Sequence, residues 1–203
     1  MKLEKEIERM TLELKRREGT QDSLLQLTRE LVRECSVAVK LVHAWDYAEA
    51  GKRIERANSL LSKIKKLEKG FEHIVAQSYQ EYTEISIFMA IVKKTEPPTH
   101  KELGVPFESY MTGLLDCVGE LRRQMLEELR EGKAEDAEYF FETMSNIYEA
   151  TLPLRFSNSI LPNFRKKQDV ARIQVESARS ELLRFIRNGD SAGRKNMPGR
   201  KGV

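Results

Sequence analysis

Apolar residues recur at intervals of three and four along most of the chain, and no other feature limits its fold so strongly. Leu24, Leu27, Leu31, Cys35, Ala38 and Val42 fall on one side of a 3.6-residue helix. Tyr110, Leu114, Cys117, Val118, Leu121, Met125 and Leu129 do the same further on. A half-buried strand needs alternation with period two, and no segment shows it. Composition agrees: 33% of residues are charged and 40% apolar, and Glu, Lys, Arg and Leu far outnumber Gly and Pro. These are helix formers. A chain of 203 residues is long enough to bury a substantial core. The expected fold is all-α, a single domain of about seven helices over residues 1–187, with a flexible basic tail over 188–203.

Breaks in the pattern set the expected boundaries. A charged amphipathic helix covers the first 18 residues, with Leu3, Ile7, Met10 and Leu14 along one side. Gly19-Thr20-Gln21-Asp22 reads as a break with capping residues, followed by a second helix to Trp45. Asp46 caps a third, carrying Ile54, Leu60, Leu61, Ile64 and Leu67 and ending near Gly70. A fourth runs from Phe71 to Lys94, where Pro97 and Pro98 follow. The fifth covers Phe107 to Glu131, and the sixth follows Gly132 to Ala150. Pro153 and Pro162 bracket an irregular stretch, and the last helix ends at Arg187.

Global charge is uninformative at +3, so a polyanion partner must be argued from local clusters. Cys35 and Cys117 are far apart, inside helical patterns and without metal-site spacing, which suits core residues in a reducing compartment. No apolar run approaches the roughly 20 residues that span a bilayer. The opening MKLEKEIERM is no signal peptide. The expected location is cytoplasmic, with no membrane partner.

Two acidic pairs stand out. Glu81 and Glu84 share a helix face, as do Asp116 and Glu120 on the next long helix. Glu81 lies about 60° and Glu84 about 120° from the centre of their helix's apolar stripe. Asp116 and Glu120 lie outside theirs. Spacing alone is equally that of ordinary solvated charges, because a chain with 32 acids contains many such pairs. Four carboxylates converging from two helices would instead form an oxygen-rich site for Mg²⁺, with Mn²⁺ as the alternative. Such an ion can activate water and neutralise charge on a phosphodiester. Zinc is disfavoured, since the three histidines have no ligand spacing.

The sequence Glu81-Tyr82-Thr83-Glu84, followed by Asp116-Cys117-Val118-Gly119-Glu120-Leu121, resembles the translin family, and within it the Trax-like branch. Arg29, Glu34 and His43 match further, as does FRKKQDVARIQVE from Phe164 to Glu176. The likeness spans residues 20 to 187. The link between the acidic helices is more compact than in eukaryotic members, the basic tail is unmatched, and no nuclear-targeting segment is evident. A prokaryotic, particularly archaeal, source is expected. The resemblance implies a helical bundle, a metal-dependent endoribonuclease with Glu81, Glu84, Asp116 and Glu120 as catalytic metal ligands, and a homo-oligomer, an octamer in known assemblies. Since the full acid set stands in one chain, a homo-oligomer suffices for activity.

Several basic residues are candidates for holding RNA. Arg29, Arg33 and Lys40, with Ser36 between them, form a stripe opposite the apolar one, and His43 sits at its edge. Such a stripe is also an ordinary solvated face, and His43 is equally a structural histidine. Arg122 and Arg123 follow Glu120, where they can hold a phosphate or pair with acids of their own helix. Arg165, Lys166 and Lys167 open the last helix, an electrostatically unfavourable place that suggests an external anion. No aromatic-rich recognition pattern is present, so binding through backbone charge with limited sequence preference is expected. The partner the resemblance implies is single-stranded or short duplex RNA, with single-stranded DNA as a further expected ligand. Two other classes fit: a non-catalytic translin-like nucleic-acid-binding protein, and a helical scaffold.

Overall fold

A computed structural model of the chain describes residues 1–195, with side chains described to Arg187. Helices account for the secondary structure of these residues, and among them no strand occurs. The elements are α1 (Lys2–His43), α2 (Tyr47–Ile64), α3 (Glu72–Val92), α4 (His100–Leu103), α5 (Phe107–Arg130), α6 (Ala134–Thr151) and α7 (Phe164–Lys195). The chain forms two compact units, Met1–Gly113 and Leu114 onward, with the boundary inside α5.

The number of helices matches the sequence reading, but the seven are not the same seven. The expected break at Gly19–Asp22 is absent, and α1 runs unbroken for 42 residues. An isolated exposed glycine costs a helix only about 1 kcal/mol, and no proline reinforces it. Thr20, expected to cap, instead donates its hydroxyl back to the Arg16 carbonyl, and Ser23 donates its own to that of Gly19. The short α4 was missed. It is fixed by a capping box, with the Thr99 hydroxyl accepting from the Glu102 amide, and by Gly104 in the left-handed conformation at φ 62°. At the other end α7 continues to Lys195, beyond the expected stop at Arg187. The rest of the expected tail, 196–203, lies outside the described residues.

In the first unit α1 packs on both α2 and α3, and α2 packs on α3. Leu24, Leu31 and Val42 of α1, Leu61 and Ile64 of α2, and Tyr79, Ile85 and Phe88 of α3 form its core, all nearly without solvent exposure. The seam of α1 alternates steps of four and three without interruption: Leu3, Ile7, Met10, Leu14, Arg17, Gln21, Leu24, Thr28, Leu31, Cys35, Ala38, Val42. From Leu24 on, every seam residue is buried. Leu3, Ile7, Met10 and Leu14 are 63%, 54%, 52% and 62% exposed. The first half of α1 is thus an arm that carries the core's own seam into solvent.

α3 departs from the one-sided stripe expected of it. Tyr79, Tyr82, Thr83, Ile85, Ser86, Ile87, Phe88, Met89 and Ile91 are all buried, leaving almost no solvated side in its second half. In the second unit α6 packs against α7. Leu121 and Met125 of α5, Phe140 and Met144 of α6, and Phe164, Ala171, Val175 and Ala178 of α7 form its core. Among the described residues no helix is long and apolar enough to cross a membrane.

Candidate functional site

Glu81 and Glu84 lie in the first unit, Asp116 and Glu120 in the second. All four are half-buried, not fully solvated. On α3 the reason is that the helix around the glutamates is buried nearly all round. Their charge reaches Cys35 on α1: burial, then Glu81, Glu84 and Glu34, push the Cys35 thiol well above its ordinary range. Glu34 therefore belongs to the same acidic region. Its carboxylate is itself paired with Arg53 at 3.3 Å. The sequence reading noted Glu34 only as part of the family likeness, although its neighbour Cys35 lies in the buried seam.

The start of α5 is seated on α3 within the first unit. Ser109 Oγ donates to the Ala76 carbonyl at 3.2 Å. One turn later, a Cβ added at Gly113 would lie 2.6 Å from the Gln80 carbonyl oxygen and 2.8 Å from Thr83 Cβ. Only glycine allows that approach. Gln80 and Thr83 are the neighbours of Glu81 and Glu84 in sequence, and Asp116 follows Gly113 by three positions on α5.

In the second unit Asp116 is held by α7. Lys167 Nζ donates to both Asp116 carboxylate oxygens, at 2.6 Å each. Burial raises the Asp116 carboxyl above its usual range, against the lowering effect of Lys167. Lys167 thus stands apart from Arg165 and Lys166, which are exposed. Helical phase carries that distinction: Lys167, Ala171, Gln174 and Ala178 share one face, and its alanines are buried. Arg122 is also tied to α7, donating through Nε to Glu181 Oε2 and through Nη1 to Gln174 Oε1, both at 3.1 Å, with a further bond to Glu181. Arg123 is exposed and lies 4.0 Å from Glu120.

On α1 the basic stripe faces solvent, with Arg29, Arg33, Ser36 and Lys40 all exposed. His43 does not share that exposure. It is 8% exposed, and its ring lies 5.1 Å from that of Phe88. This is the structural packing weighed against RNA contact from sequence.

The donor chemistry of the four acids suits Mg²⁺ or Mn²⁺, being oxygen only. Among the described residues no three His, Cys, Asp or Glu side chains stand close enough together to hold one ion. Each helix supplies a pair.

The described residues form an all-helical fold with half-buried carboxylate pairs on α3 and α5. A profile of the translin family matches residues 76–180, and the chain belongs to that family. It is 29% identical over 181 residues to the uncharacterized protein MJ0175 of Methanocaldococcus jannaschii, covering 86% of this chain and 80% of that one. Among solved structures it is similar to AfC3PO in complex with duplex RNA, with TM-score 0.83 and 28% identity over 97% of this chain and 100% of that one. The crystal structure of AfC3PO gives TM-score 0.81 and 29% identity, covering 91% of this chain and 97% of that one. Apo-NeC3PO shares the fold, with TM-score 0.81 at 21% identity over 88% of this chain and 96% of its own.

Proposed function

We propose that this chain binds RNA through its phosphate backbone and cleaves it as a metal-dependent endoribonuclease. RNA as ligand is supported by the likeness to AfC3PO, whose complex with duplex RNA has the same fold at 28% identity. Single-stranded RNA and single-stranded DNA are further ligands on this reading. The observation that carries the catalytic part is the seat of Gly113 on α3, between the residues that neighbour Glu81 and Glu84 and one turn before Asp116. Glu81, Glu84, Asp116 and Glu120 are the residues that would hold Mg²⁺ or Mn²⁺. When bound, the ion supplies an activated water and neutralises charge on the phosphodiester. Lys167 orients the Asp116 carboxylate and offsets its charge. Arg29, Arg33 and Lys40 neutralise phosphates without reading bases. Arg165, Lys166 and Arg123 add exposed positive charge. The same reading has the chain acting in the cytoplasm as a homo-oligomer, an octamer by analogy with the family.

A specific observation favours a second reading. Asp116 already has both oxygens occupied by Lys167, and among the described residues no trio of ligands is assembled. On that reading the acids are structural and the chain binds RNA without cutting it. Incubating the purified protein with labelled RNA, with Mg²⁺ or with chelator, separates the two. Cleavage only with the metal supports the nuclease. Salt-sensitive binding with no cleavage in either condition overturns it.

A further inference from the structure

Where the exposed arm of α1 leaves the bundle it forms one wall of a cleft of about 500 Å³, whose other wall is the link between α2 and α3. Glu13, Arg16, Arg17 and Thr20 line it from α1, and Lys66, Leu67, Lys69 and Phe71 line it from the link. Four of the lining residues are cationic and one is acidic. That acid is already used, since Glu13 pairs with Arg16 at 3.5 Å. Arg17 has its guanidinium 5.8 Å over the Phe71 ring, a contact that fixes its position without neutralising its charge. Lys66 and Lys69 are exposed and have no ion-pair partner among the described residues.

The attraction of lysines to the end of α2 explains Lys66, one position past the helix cap. It does not explain why Arg16 and Arg17 line the same cleft from another helix. Three unneutralised positive charges around one concave opening repel one another, and an anion entering it relieves that repulsion. The cations stand on long separate side chains around an open cleft, an arrangement for a run of phosphates more than for one enclosed small molecule. None of these residues belongs to the Arg29, Arg33, Lys40 stripe or to the acidic pairs.

We infer that the cleft between Arg17 and Lys66–Phe71 is a second nucleic-acid contact, which holds phosphates of an RNA strand outside the candidate catalytic region. This rests on the reading of the chain as an RNA-binding protein. The test is binding of a short labelled single-stranded RNA to the full chain over a range of salt. Wild type is compared with Lys66→Ala/Lys69→Ala and, separately, with Arg29→Ala/Arg33→Ala. The lysine pair is the chosen variant because neither side chain is buried, and circular dichroism verifies its fold. Affinity is expected to fall about tenfold at low salt, with the salt slope flattened by up to about two units. Arg17→Ala added to the pair is expected to flatten it by about one unit more. If wild type binds RNA and the folded lysine variant binds with the same affinity and slope, the cleft inference is overturned while the RNA reading stands. If wild type binds no RNA, both fall. Loss of binding only in the Arg29/Arg33 variant also overturns the cleft.

Discussion

Lys167 grips Asp116 with a single ammonium group placed between both carboxylate oxygens, 2.6 Å from each. The pair is largely withdrawn from water, its side chains 23% and 26% exposed. Removing Lys167 strips a half-buried carboxylate of this countercharge, so Lys167→Met is expected to lower stability by about 1–3 kcal/mol. The same substitution removes an ammonium that competes with any divalent cation for the Asp116 carboxylate. Thermal unfolding with and without Mg²⁺ checks this: the variant should gain more from the metal than wild type does. Equal gains in the two proteins would remove Asp116 from the proposed ligand set.

Glu120→Gln keeps side-chain size and most hydrogen bonding while removing a charged oxygen. If Glu120 holds the metal, RNA cleavage falls by orders of magnitude. RNA affinity persists or rises, because a negative charge near the phosphates has gone. Normal cleavage by the folded variant would return this acid to a structural role.

Arg29→Ala with Arg33→Ala should act in the opposite sense. Both residues are exposed and off the seam of α1, so folding survives. Binding weakens, and the dependence of log affinity on log salt flattens by up to about two units if both contact phosphates. Filter binding across a salt series measures it.

Gly113→Ala tests the seat of α5 on α3. A methyl there would lie 2.6 Å from the Gln80 carbonyl oxygen, which is backbone and can give little. Overpacking of this kind costs about 1–3 kcal/mol. The damage should also reach function, since Glu81 and Glu84 ride on the segment that must shift. A melt unchanged from wild type would show that the helices are not held this closely.

The Cys35 thiol gives a test of the buried seam of α1 that does not depend on activity. Its titration is pushed up by burial first, then by Glu81, Glu84 and Glu34. A raised thiol stays protonated as pH rises through the ordinary value of 9.0, so it resists alkylation there in the native protein. Rapid labelling should appear only on unfolding. Because burial leads, Glu81→Gln alone should not make Cys35 reactive.

How far sequence carried the reading depended on whether a residue's role was local. The seam from Leu24 to Val42, the Asp46 cap and the length of α5 follow from periodicity and capping, which act within a few residues. The unbroken α1 did not follow, because Gly19 is a weak breaker and its neighbours' hydroxyls turned inward along the helix. The pairing of acids on α3 and α5 was legible as spacing. Glu81, about 60° from the stripe centre, was legible as a boundary residue, but the half-burial of Glu84 was not, since it comes from a helix packed nearly all round. Lys167 was legible as charge but not as the partner of Asp116, a contact 51 residues away in sequence.

The arm of α1 has a consequence for how this molecule responds to warming. An isolated helix of its length is marginal in water, mainly because the first turn is costly to form. Here that turn already exists, in the buried half from Leu24 onward, and the arm grows from it. Local support comes from pairs such as Glu6 with Arg9 and Glu13 with Arg16, each worth only a few tenths of a kcal/mol. The arm should therefore shorten gradually from Met1, amide by amide, while the bundle stays closed. Hydrogen exchange would then record a gradient of opening along one continuous helix, steepest where its seam passes under α2 and α3.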